Sequence, residues 1–150
     1  MNEEFLNRLL KSISVSGYEE PVQEAVKMEM KEYTDEIRED EMHNLVCVIN
    51  PEHPVRIMLS AHADEIGLMI SNITEEGTLQ VIDRGGIVTH TYPGQQVIVH
   101  SQTGDVYGVV EASRDLLKNS DLSSNDFVID LGAKARDAAL KYVALGAQTV

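Results

Sequence analysis

Between Gly67 and Val110 the chain is cut by Gly77, Gly85, Gly86, Pro93, Gly94, Gly104 and Gly108 into apolar runs too short for helices, so this half must bury its side chains as short antiparallel strands. Leu68 to Ile73 and Thr78 to Ile82 flank Glu75-Glu76-Gly77 as one hairpin. Gln95 to His100 and Val106 to Val110 flank Thr103-Gly104 as another, and Phe127 to Leu131 supplies a later strand. Arg136 to Leu145, alanine-containing and followed by Gly146, closes as a short helix. The expected architecture beyond Gly67 is all-β.

The first half follows different periods. Phe5, Leu6, Leu9, Leu10 and Ile13 recur at helical spacing until Ser14 to Gly17 stops them. Glu19-Glu20-Pro21 then makes a suitable first turn for a second helix, with Val22, Ala25, Val26, Met30 and Tyr33 along one face. Both stripes read as core. Leu45 to Ile49 and Arg56 to Ser60 are unbroken apolar runs and predict two buried strands, the start of an α/β layer. The expected division is 1–67 for the α/β portion and 68–150 for the β-rich portion.

Charge excludes one class of partner. Twelve Lys and Arg stand against 25 Asp and Glu, and a formal net charge of -13 repels a phosphate backbone, so nucleic acid is not expected. Cys47 is the single cysteine; it lies between Val46 and Val48 and reads as a buried strand residue. Residues 1–11 lack the apolar core of a secretory signal, and no stretch reaches the roughly 20 apolar residues of a membrane span. The expectation is a cytoplasmic protein with no membrane partner.

The chemistry-bearing stretch is Met58-Leu59-Ser60-Ala61-His62-Ala63-Asp64-Glu65-Ile66-Gly67. Alternation along an extended backbone puts His62 and Asp64 on one side and Glu65 on the other. A neutral imidazole ligates zinc or cobalt, and a nearby carboxylate fixes its tautomer and raises its basicity. His62 is therefore the candidate ligand and Asp64 the candidate orienting carboxylate. His90 and His100 lack ligand spacing and read as surface or strand residues. Asp83-Arg84 reads as an exposed turn pair, and Gly85-Gly86 as a turn.

Five features in order carry a resemblance: Ser16-Gly17-Tyr18-Glu19; Asp40 leading to Asn44-Leu45; Ala61-His62-Ala63-Asp64-Glu65-Ile66-Gly67; Gly85-Gly86 with Gly94-Gln95-Gln96-Val97; and Ile129-Asp130-Leu131-Gly132-Ala133. Together they resemble the tetrahedral (TET) and glutamyl aminopeptidases, some of whose members carry endoglucanase names. His43 stands where that family usually has glycine.

The resemblance implies a dinuclear metallopeptidase that removes amino-terminal residues from short peptides. Its α/β catalytic domain begins with two helices and sheet strands, and is interrupted by an inserted, small β-barrel-like domain used in homo-oligomerisation, up to a dodecameric tetrahedral shell. By the same resemblance His62 ligates one of two zinc or cobalt ions, and Asp64 belongs to the catalytic site by orienting His62. Members of the family are more than twice as long, with the bridging aspartate, the general-base glutamate and the other ligands beyond the β insertion. The 150 residues are thus expected to be inactive alone and to bind one metal weakly or none.

The rival expectation is a non-catalytic oligomerisation or interaction module derived from that family, with apolar surface left exposed on the α/β part. A glycoside hydrolase would need two carboxylates facing each other across a sugar, and no such pair is evident.

Overall fold

Local signals set the first elements of the computed structural model, which describes residues 2–150. Asn2 caps helix α1, Glu3–Lys11, by accepting the Phe5 amide at 3.2 Å, with acids in the first turn and Arg8 and Lys11 in the last. Helix α2, Glu20–Met30, starts with Pro21 inside its first turn. Strands β1, Ile37–Glu39, and β2, Leu45–Cys47, pair antiparallel. The connecting loop is held by Asp40, whose carboxylate accepts the Met42 amide at 2.9 Å, the Asn44 amide at 2.8 Å and the Asn44 side chain at 2.9 Å. His43 in that loop has φ 61°, in the left-handed region that favours glycine.

The chain divides into two compact units, one ending at Asp64 and the other spanning Glu65–Val150. In the first, Val15, Val22 and Ala25 are buried. The expected core stripe of α1 is only partly realised: no residue of the helix is buried, and Leu10 is 74% exposed. On α2 the stripe holds at Val22 and Ala25, whereas Tyr33 lies past the helix end and is exposed. Cys47 is in a strand as expected but only half-buried.

The predicted strand Arg56–Ser60 does not form. Ile57, Met58 and Leu59 are 83%, 87% and 93% exposed, and among the described residues their amides have no backbone partner. Apolar, extended sequence is not sufficient for a strand. Ladder hydrogen bonds need a neighbour, and among the described residues no strand pairs with this segment.

The second unit is a closed barrel. Its strands are β3, Gly67–Ile73; β4, Leu79–Arg84; β5, Gln96–Ser101; β6, Gly104–Val110; β7, Val128–Asp130; and β8, Gln148–Thr149. They close in the order β3-β4-β7-β6-β5-β8, with antiparallel neighbours throughout. Both expected hairpins are present, β3 with β4 and β5 with β6. Alternation sends Leu68, Ile70, Leu79, Val81, Val97, Val99, Val110 and Ile129 inward, around a fully buried Phe127 whose ring stacks on Tyr92 at 5.5 Å.

Short helices pad the barrel: α3, Arg114–Lys118, capped by Ser113, and α4, Arg136–Ala139. The expected helix to Leu145 stops early and continues as turns that seat Ala139 and Val143 in the core while Leu140 and Leu145 stay exposed. Asp83 and Arg84 are strand-end residues with separate partners rather than a turn pair. Asp83 accepts the buried Ser124 hydroxyl, and Arg84 Nη2 reaches Met69 Sδ at 3.3 Å.

Candidate functional site

The site begins at a tight turn. Tyr18 donates its amide to the Val15 carbonyl at 2.8 Å, and Gly17 at φ 90° occupies the third turn position, where a side chain would be strained. The Gly17 amide is satisfied by Glu19 Oε1 at 2.7 Å, and Val15 is fully buried. Ser16 is thereby fixed at the corner of the turn between α1 and α2.

Its hydroxyl donates to Asp64 Oδ2 at 2.5 Å, a bond that closes a gap of 48 residues in sequence. The other oxygen of the same carboxylate, Oδ1, lies 3.0 Å from His62 Nδ1, and the Asp64 carbonyl lies 2.9 Å from that nitrogen. The His62 and Asp64 side chains face each other, although residues 60–64 belong to no strand. The Ser16 hydroxyl first, and His62 second, hold the Asp64 carboxyl below its usual range.

Both neighbours of Nδ1 are oxygens that can only accept, so Nδ1 carries the proton. In the neutral ring the lone pair is then on Nε2. The His62 side chain is 86% exposed, so that lone pair faces solvent. This is the donor form a divalent metal binds: an accessible imidazole nitrogen whose opposite nitrogen is anchored to a carboxylate. The residues fit a metal as one ligand. No group of three or more His, Cys, Asp and Glu that could hold an ion occurs among the described residues.

The remaining histidines stand elsewhere. His100 in β5 pairs through Nδ1 with Asp105 at 2.8 Å, His90 lies in a single helical turn, His43 Nδ1 meets Glu39 at 2.8 Å, and His53 Nδ1 accepts the Val55 amide at 3.2 Å. In the sequence Ser16 reads only as a turn residue and as part of a motif. The signal that could have promoted it was a hydroxyl beside a turn-forming glycine, in the same ordered series as His62 and Asp64.

A family model described as M42 glutamyl aminopeptidase matches residues 43–150. A protein of Acetivibrio thermocellus that carries an aminopeptidase name is 38% identical over 151 residues, covering 97% of this chain and 44% of that protein. The crystal structure of a TET aminopeptidase from Thaumarchaeota archaeon SCGC AB-539-E09 matches with a TM-score of 0.87 at 28% identity, covering 99% of this chain and 43% of that one. The Pyrococcus horikoshii TET1 peptidase, which can assemble into a tetrahedron or a large octahedral shell, gives a TM-score of 0.83 at 34% identity and 99% and 46% coverage. The chain spans less than half the length of each. With the family model covering most of the sequence and the same fold in those peptidases, the chain belongs to the M42 glutamyl aminopeptidase family.

Proposed function

We propose that this chain carries one corner of a metal-dependent aminopeptidase site, in which His62 ligates a divalent metal through Nε2 and Asp64 is the positioning carboxylate behind it. The observation that carries the reading is the Nδ1 contact to Asp64, which leaves Nε2 unprotonated and open to solvent. The complete site is a dinuclear one, holding zinc or cobalt. Bound metal would polarise a scissile carbonyl and lower the pKa of an attacking water. This chain's residues present a donor nitrogen and fix its tautomer. One imidazole does not retain a catalytic ion, so the 150 residues are catalytically silent by themselves.

The substrates are short peptides shortened from the amino terminus, and the place of action is the cytoplasm. Among the described residues no helix is long and apolar enough to cross a membrane. The barrel is the domain inserted into the catalytic one and serves homo-oligomerisation. Supporting that assembly role, Tyr107 and Val109 on β6 turn outward and are 60% and 47% exposed.

A chimera tests the reading: residues 1–150 replace the matching part of the TET1 peptidase, and the product is loaded with zinc or cobalt and offered aminoacyl p-nitroanilides. Cleavage is expected, with His62→Ala abolishing it and Asp64→Ala lowering it about 10- to 100-fold. An assembled chimera that cleaves equally well with and without His62 sinks the proposal.

A further inference from the structure

We infer that Ser16 is a positioning residue for this site: its hydroxyl grips one oxygen of Asp64 so that the other stays on His62 Nδ1. The inference rests on the proposed reading of His62 as a metal ligand and adds a residue to it. Carboxylate torsions are broad and roughly two-fold, and the Asp64 side chain is 37% exposed, so packing alone does not fix it. The two oxygens have different partners, Oδ2 taking the Ser16 hydroxyl at 2.5 Å and Oδ1 facing the imidazole at 3.0 Å. Ser16 in turn cannot drift. The Val15–Tyr18 turn bond, the left-handed Gly17 and the buried Val15 hold its backbone.

The consequence for the imidazole is electronic as well as geometric. The Nδ1 proton has a second acceptor, the Asp64 carbonyl at 2.9 Å. If the carboxylate swings away, that neutral carbonyl remains, and the tautomer survives with a weaker partner. A charged acceptor binds the N–H more strongly and makes Nε2 a better donor. Ser16 therefore decides which acceptor dominates, and through it how tightly Nε2 binds a cation.

The test reads metal-free His62 shifts on the 150-residue chain labelled with 15N at histidine, and titrates zinc into the same variants of the TET1 chimera, which supplies further ligands. Wild type, Ser16→Ala, Ser16→Thr and His62→Ala are compared. The readouts are the His62 Nδ1 and Nε2 shifts without metal, the zinc titration and the melting temperature. Ser16→Ala is expected to move the metal-free His62 shifts and weaken zinc about tenfold, with melting unchanged; Ser16→Thr, which keeps the hydroxyl, restores both. Unchanged His62 shifts in Ser16→Ala, or no rescue by threonine, overturn the role of Ser16. Zinc affinity and stoichiometry unchanged in the His62→Ala chimera instead overturn the metal-ligand reading, while the metal-free shifts still report on Ser16 alone.

Discussion

Arg8 Nη2 and Glu29 Oε2 stand 2.5 Å apart, tying α1 to α2 through a carboxylate of which only 7% is exposed. The same Glu29 accepts the Asn2 side chain at 2.9 Å, so both of its oxygens are used. The turn bearing Ser16 joins these two helices. Glu29→Gln leaves the guanidinium with a neutral partner and should lower stability by about 1–3 kcal/mol, read as a shifted urea midpoint with an unchanged slope. No shift in the midpoint would show that the pair does not clamp the helices.

Gly77 closes the β3–β4 hairpin with φ 88°, and a Cβ there would meet the Ala135 backbone oxygen at 2.8 Å. Backbone, unlike a side-chain tip, cannot swing aside. Gly77→Ala is expected to cost on the order of 1–3 kcal/mol from left-handed strain, before the collision is added. Thermal melting checks it: a variant as stable as wild type would mean the hairpin relaxes freely.

His43 and Glu39 form an exposed pair that should titrate in a linked way. Hydrogen bonding to Glu39 raises the His43 pKa above its ordinary 6.5, and the same bond is the first cause lowering Glu39 below its ordinary 4.5. The histidine's contribution to stability is complete below pH 6.5 and is lost as pH rises through its raised folded value. The carboxylate's contribution is complete above 4.5 and is lost as pH falls through its lowered value. NMR titration of the His43 ring should give a midpoint above 6.5, returning toward it in Glu39→Gln. A midpoint indifferent to Glu39 refutes the pairing.

Hydrogen exchange should separate two apolar segments of similar composition. The amides of residues 56–60 have no backbone acceptor among the described residues and should exchange at nearly the rate of an unstructured peptide. Val99, fully buried in the barrel and paired with Val106 and Thr149, should be among the slowest. Protection at Ile57 and Leu59 that grows with protein concentration would instead reveal pairing between copies, since an unpaired apolar strand is a template for association.

Sequence alone determined what is encoded within a few residues. Gly77 and Gly104 fixed two hairpins, Pro21 and the acids before it began α2, and the two-residue spacing of His62 and Asp64 brought imidazole to carboxylate. Such features follow from the sterics and hydrogen bonding of neighbours in the chain. Tertiary structure decided what depends on distant partners. The two-residue β8 completes the barrel only because β3 and β5 lie on either side of it, and residues 56–60, apolar as a strand would be, find no pairing partner among the described residues. Ser16 reaches Asp64 across 48 residues that no local pattern spans. A hydrogen bond needs its acceptor in place, and only the folded chain puts it there.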